Sequence, residues 1–224
     1  MAEQYNYLFK ICLFADKDAG KETLAKSNVF KSKYEYYRNT TGVNFATKTI
    51  KHSGEIIKIQ LWIISDEKER FQGIWRMFIR GSLGVILMYD ITNAKTLSMV
   101  SEWSQMVKDC RIDIPILLVG NKIDLEEQRE VSKDSVDTFK ENHDISSSME
   151  ISLKTGENLE KMFKRITRMA LKNTSRLEVG DRRRDESFRN LTPLKLEYKP
   201  PNLIACWIIL VLVLIICILV AAIL

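Results

Sequence analysis

The sequence predicts an α/β fold in which a mostly parallel sheet carries helices on both faces, and three observations lead there. Short apolar runs rich in β-branched residues alternate with longer segments of helical periodicity. Helices of that length between strands are crossover connections, which make neighbouring strands parallel. A hydrophobic fraction of 46% in 224 residues is enough for one ordinary core plus appendages.

Taken in order, Leu8 to Phe14 is a buried strand and Gly20 to about Lys31 a helix. Tyr34 to Thr41 lacks clean periodicity and reads as a loop. Val43 to Ile50 and Ile56 to Ile64 are β-rich runs around His52-Ser-Gly-Glu55, a hairpin whose turn Gly54 supplies. Ser65 to Arg70 is a charged loop, followed by a short helix through Arg80. Gly84 to Asp90 is a buried strand, Ala94 to Cys110 a helix, and Ile114 to Val119 another buried strand. Ser132 to Asn142 is helical, and Ser148 to Ser152 is a short strand. Asn158 to Leu171 is a helix with Leu159, Met162, Phe163, Ile166 and Met169 on one face.

The remaining composition narrows the function. Lys+Arg 34 against Asp+Glu 29 gives a net charge of +5, too mild a balance to indicate nucleic acid as a partner. Cys12, Cys110, Cys206 and Cys217 show neither metal nor disulfide spacing, which fits a reducing compartment. His52 is a turn residue and His143 has no neighbour at metal spacing. Lys10, Asp16, Lys17 and Asp18 interrupt any secretory signal core.

The C-terminal part changes character twice. From Thr174 to Asn202 apolar content falls, charge rises and three prolines enter, the pattern of a linker. Leu203 to Leu224 is uncharged, and as a helix its ~22 residues would span roughly 33 Å, enough for a bilayer core. The expected organisation is a domain over 1–173, a linker over 174–202 and a transmembrane tail anchor over 203–224. Arg182 to Arg184, Lys195 and Lys199 precede the run, which places the domain in the cytoplasm.

Three short stretches carry chemistry. Phe14 to Thr23 lies between strand and helix, where G-x-x-x-x-G-K-[ST] would wrap phosphates with backbone N–H groups. Gly20 and Lys21 are present, while Ala15 stands at the first glycine and Glu22 at the hydroxyl. Val119-Gly-Asn-Lys-Ile-Asp124 supplies N-K-x-D at the carboxyl end of a strand, where open α/β sheets bind ligands. An aspartate there can accept from N1–H and the exocyclic amine of guanine, a pair adenine does not offer. Glu150-Ile-Ser-Leu-Lys-Thr-Gly156 is a second candidate base-contacting loop. The alternative is that Asn121, Asp124 and Ser152 only cap helices and turns.

With these residues the chain resembles the Ras superfamily of small GTPases, most closely its Rab branch, from about Tyr7 to Leu171. The resemblance runs through Thr40-Thr-Gly-Val-Asn-Phe45, Lys58-Ile-Gln-Leu-Trp62, Glu69-Arg-Phe71, Arg80-Gly81, Met88-Tyr-Asp-Ile-Thr92, Asn121 to Asp124 and Ser152 to Lys154. It implies a P-loop small-GTPase fold with a six-stranded sheet, and guanine nucleotide (GTP/GDP) with Mg²⁺ as cofactors. The implied nucleotide contacts are Gly20, Lys21, Thr23, Thr40, Asn121, Lys122, Asp124, Ser152, Leu153 and Lys154, with Thr40 and Glu22 as metal ligands. Two switch loops, about 34–43 and 63–77, would read the γ-phosphate. Phe45, Trp62 and Phe78 match the aromatic trio that Rab-like proteins present to effectors, though plain packing explains them equally well.

Departures gather at the phosphate end. The family's W-D-T-A-G-Q-E is here Trp62-Ile-Ile-Ser-Asp-Glu-Lys-Glu69. Ile63 replaces an aspartate that supports Mg²⁺ through water, and the γ-phosphate-sensing glycine and the water-orienting glutamine are missing. Glu22 would repel the β-phosphate by about 4 kcal/mol at 4 Å and an effective dielectric near 20, unless it ligates Mg²⁺ itself. The chain is therefore expected to be a membrane-anchored, Rab-like guanine-nucleotide-binding protein of trafficking or signalling, with slow or absent hydrolysis. The alternatives are a nucleotide-free scaffold and an active GTPase in which Glu67 or Glu69 positions water.

Overall fold

The computed structural model describes residues 5–20, 23–24, 43–64, 75–110, 113–145, 147–180 and 194–195. All of them fall within one compact unit, Tyr5–Lys195. The strands are β1 (Tyr7–Ala15), β2 (Val43–His52), β3 (Glu55–Ile64), β4 (Gly84–Asp90), β5 (Ile116–Asn121), β6 (Ser147–Glu150) and β7 (Leu194–Lys195). The helices are α1 (Trp75–Ile79), α2 (Ala94–Asp109), α3 (Lys133–Asn142) and α4 (Leu159–Gly180).

Six strands lie in the order β2-β3-β1-β4-β5-β6, with only β2 antiparallel to its neighbour. This is the mostly parallel sheet read from the alternation of strands and helices. β7 adds two antiparallel residues against Tyr7 and Leu8, ahead of the point where β4 joins β1 at Ile11. Strand β1 divides its side chains by parity, as period 2 requires. Phe9, Ile11 and Leu13 face a core with Leu159, Met162, Phe163, Ile166 and Ala170 of α4. Cys12 and Phe14 face a second core with Leu97, Val100, Trp103 and Val107 of α2. Both faces are covered, which explains why β4 is buried at all seven positions and reads as one continuous apolar run.

The hairpin turn places Ser53 at φ +50° and Gly54 at φ +85°, the two left-handed residues of a type I′ connection. Strand β5 starts at Ile116 rather than Ile114, because Pro115 has no N–H for the ladder; its carbonyl still accepts from Val85 at 2.9 Å. Periodicity predicts a helix ending at Leu171 and composition a linker from Thr174, whereas α4 continues to Gly180. Thr174 is buried and donates its hydroxyl to the Ala170 carbonyl at 2.9 Å, and Asn173 donates to Asp113 O at 2.6 Å. Hydrogen bonding and burial carry the helix past the change in composition. Among the described residues no helix is long and apolar enough to cross a membrane, and residues 203–224 lie outside them.

Candidate functional site

The parallel strands bring the loops after β1, β4, β5 and β6 to one end of the sheet. After Ala15 the chain forms a 3₁₀ turn, Lys17–Ala19, preceded by Asp16 in an extended conformation. The buried Asp16 carboxylate accepts the Asp18 N–H at 3.0 Å, and the Asp16 carbonyl accepts the Ala19 N–H at 3.1 Å. Gly20 follows at φ +96°, a left-handed conformation suited to glycine. A Cβ there would also lie 2.6 Å from Asn121 Nδ2 and 3.2 Å from Leu153 Cδ1. The position is thus restricted both by its backbone and by its neighbours. The Gly20 carbonyl then accepts the Leu24 N–H at 2.9 Å.

Asn121 ends β5 and is 2% exposed. Its amide donates to Ala19 O at 2.8 Å, and its Oδ1 accepts the Leu153 N–H at 3.0 Å. One buried side chain therefore joins the loop after β1 to the loop after β6. Asp124 lies in the 3₁₀ segment Ile123–Gln128. Its Oδ1 accepts the Ser152 hydroxyl at 2.6 Å, and the Lys154 ammonium stands 3.9 Å from Oδ2. Ser152 Oγ in turn accepts the Thr155 N–H at 3.0 Å. A carboxylate has about four acceptor positions, so one bond from serine orients Asp124 and leaves capacity for two donors side by side.

Lys122 has φ +74°, uncommon for a residue with a side chain, and its ammonium lies 2.5 Å from Asp90 Oδ2. Arg129 braces the same segment from behind. It donates to Glu150 Oε1 at 2.8 Å, Glu126 Oε2 at 2.6 Å and Val131 O at 3.0 Å. Glu150 and then Glu126 hold Arg129 above the ordinary arginine range, while Arg129 lowers Glu126. The turn carrying Asp124 is thereby tied to the end of β6.

Of the residues singled out in the sequence, Gly20, Asn121, Lys122, Asp124, Ser152, Leu153 and Lys154 converge. Thr23 is exposed in the helix that follows Gly20. Lys21, Glu22 and Thr40, together with most of both predicted switches, lie outside the described residues. Among the described residues no group of three or more His, Cys, Asp or Glu could hold a metal ion. Phe45 and Trp62 meet edge to face at 4.7 Å and, with Phe78, are half-buried against the α2-side core. Lys10 lies 3.8 Å over the Trp62 ring and donates to Arg80 O at 2.8 Å. Asp90 and Arg129 were not read from the sequence as site residues. A charged residue closing an otherwise apolar strand was a usable signal for Asp90; for Arg129 there was none.

A family model described as the Ras family matches residues 10–172. The chain belongs to the Ras family. It is 32% identical over 203 residues to Ras-related protein Rab-13 of Bos taurus, covering 90% of this chain and 92% of the relative. It is 38% identical over 173 residues to Ras-related protein Rab-1 of Theileria parva, with 76% and 77% covered. Ras-related protein Rab-11A of Dictyostelium discoideum is 37% identical over 166 residues, with 73% and 76% covered. The chain is a Rab-like small GTPase by family, and its six-stranded sheet fits that fold. Within this Ras-family chain the converging loops are those of N-K-x-D and S-L-K.

Proposed function

We propose that this Rab-like chain binds guanine nucleotide through an intact base-recognition end, turns GTP over slowly or not at all, and works on a membrane held by residues 203–224. The observation that carries the proposal is Asp124, fixed by Ser152 and braced through Arg129, beside Asn121, which joins the loops after β1 and β6. A fixed carboxylate suits guanine, whose N1–H and amine can donate to it together. Gly20 lets the loop after β1 pack directly on Asn121, since any side chain there would run into its amide.

Slow turnover is supported by the second switch. Ile63 is buried inside β3, in register with Leu13, so this position brings no carboxylate toward Mg²⁺. A bound Mg²⁺ would supply charge neutralisation at the phosphates, with Glu22 and Thr40 as the candidate ligands. The rest of the binding falls to Gly20, Lys21, Asn121, Lys122 and Asp124. The resemblance to the Rab branch supports a role in trafficking with effector proteins at the switch surface, and the apolar run supports anchoring with the domain in the cytoplasm.

Calorimetry with GDP and GTP, with and without Mg²⁺, tests the reading. Saturable binding of GDP and not ADP is expected, and no binding of either guanine nucleotide would end it. Single-turnover phosphate release near the buffer rate is expected; release that drops on Glu67→Ala or Glu69→Ala would make the chain an active GTPase instead. One observation favours a nucleotide-free scaffold: the Asp18 and Ala19 N–H groups are already bonded to Asp16. Thermal melting separates the two, because a ligand at 100 times its Kd stabilises a fold by about 2.7 kcal/mol.

A further inference from the structure

We infer that Asp90 is a positioning residue for nucleotide binding, whose buried carboxylate fixes the Lys122 ammonium at the ligand-binding end of the sheet. The inference rests on the reading that this end takes a guanine nucleotide.

Asp90 is the last residue of β4, in register with Asn121, and is 2% exposed. A carboxylate at that place is unfavourable twice over. It is taken out of water, and it would stand close to a polyanion, where like charges repel. Core packing does not explain it, since the six β4 residues before it are apolar or aromatic and fill the sheet interior.

Its bonds show what it holds. Oδ1 accepts the Thr92 N–H at 2.9 Å and the Thr92 hydroxyl at 2.8 Å, so the carboxylate cannot swing. The Asp90 N–H donates to Thr96 Oγ1 at 2.9 Å, fixing the backbone as well. The other oxygen, Oδ2, lies 2.5 Å from Lys122 Nζ.

Lys122 reaches this partner from a left-handed backbone, φ +74°, which residues with a Cβ seldom adopt without compensation. A buried anion locked by threonine and a strained backbone both serve to direct one ammonium. Lys122 is 33% exposed, so it remains accessible to a ligand. An ammonium pinned in this way gives up little side-chain freedom when it meets an anionic or ether oxygen.

The test is GDP titration by calorimetry of the full chain and of Asp90→Asn, Lys122→Met and the double variant, each also titrated with ADP. Asp90→Asn keeps the shape and an acceptor for Thr92 while removing the charge. It should weaken GDP binding about tenfold and preserve the preference for GDP over ADP. Lys122→Met, at a partly exposed position, approaches the same pair from the other side. The double variant should be no weaker than Lys122→Met alone, because Asp90 acts through that lysine. Wild-type or tighter binding by Asp90→Asn would overturn the inference, as would losses that add in the double variant. No GDP binding by the unaltered chain would instead overturn the nucleotide reading, and this inference with it.

Discussion

At one end of the site, side chains hold other side chains; at the other, a loop holds itself. Asp124, Ser152, Asn121 and Leu153 form a chain of bonds across the loops after β5 and β6. The loop after β1 instead folds its own N–H groups onto Asp16, with Asn121 bonded to its Ala19 carbonyl. The two ends have different chemical requirements. Base recognition needs a few side chains at fixed angles, which the sheet sets by placing Asn121 and Glu150 at strand ends. Phosphate recognition needs backbone N–H groups free and small residues around them. Ala15 and Glu22, which stand where the phosphate-wrapping pattern has a glycine and a hydroxyl, belong to the one end, and Asn121, Asp124 and Ser152 to the other.

The largest effect that would break this contrast is at Asp124. Asp124→Asn replaces an acceptor-only group with one that also donates, which mismatches the guanine N1–H and amine. GDP affinity should fall by about 10³-fold, or about 4 kcal/mol, since a site built for a hydrogen-bond pattern strongly rejects its mismatch. Xanthosine diphosphate, with a carbonyl in place of the amine, should gain affinity. Calorimetry with both nucleotides measures this, and GDP affinity that survives the change would show that the base end does not read guanine.

Asn121→Ala tests whether the two ends are mechanically one. The substitution removes two hydrogen bonds and leaves the Leu153 N–H without its acceptor in a region where Asn121 is 2% exposed and Leu153 7%. Removing both bonds and orphaning a buried donor should cost about 3 kcal/mol in urea denaturation. Hydrogen exchange at Ala19, whose N–H bonds to Asp16 O, and at Leu153 should rise together. Protection lost only at Leu153 would mean that the loop after β1 stands without the staple.

Much of this frame was legible beforehand, for local reasons. Gly84 to Asp90 was read with its observed bounds because a buried parallel strand writes its pattern into seven consecutive residues. The hairpin was read because Gly54 marks its turn. Asn121, Asp124 and Ser152 were legible as types in order, yet their bonds were not. Asn121 and Ala19 are separated by 102 residues, and only the topology brings them together. The end of α4 and the start of β5 are not legible in composition, because burial at Thr174 and the missing N–H of Pro115 decide them. For Asp90 the sequence offers a charge closing an apolar strand, which marks the place but not its partner, because Lys122 meets it only through the pairing of β4 with β5.

Gly20→Ala sharpens the contrast at smaller cost. The new Cβ would need about 1 kcal/mol for the left-handed backbone and would press on the Asn121 amide, 2.6 Å away. A destabilisation of about 2 kcal/mol is expected in urea, with the clash relieved by movement of Asn121. Because the disturbance passes through Asn121, Gly20→Ala combined with Asn121→Ala should cost less than the sum of the two. Strict additivity would show that the loop after β1 adjusts without reference to the base end.

The smallest effect is a control far from both ends. His143 follows α3, stacks on Phe139 at 4.3 Å, and has its pKa lowered from 6.5, first by burial and then by Lys108, with Asp144 opposing. A histidine with a depressed folded pKa binds fewer protons folded than unfolded in that window. Stability therefore rises with pH there, and is lost as pH falls through about 6.5. Asp144, held below the ordinary range by its hydrogen bond from Lys108, adds a loss of the same direction at more acidic pH. Urea denaturation at pH 5.5, 6.5 and 7.5 should show a gentle slope that His143→Gln flattens. A slope that persists unchanged in the His143 variant would show that burial beside Phe139 and the nearby Lys108 do not set this dependence.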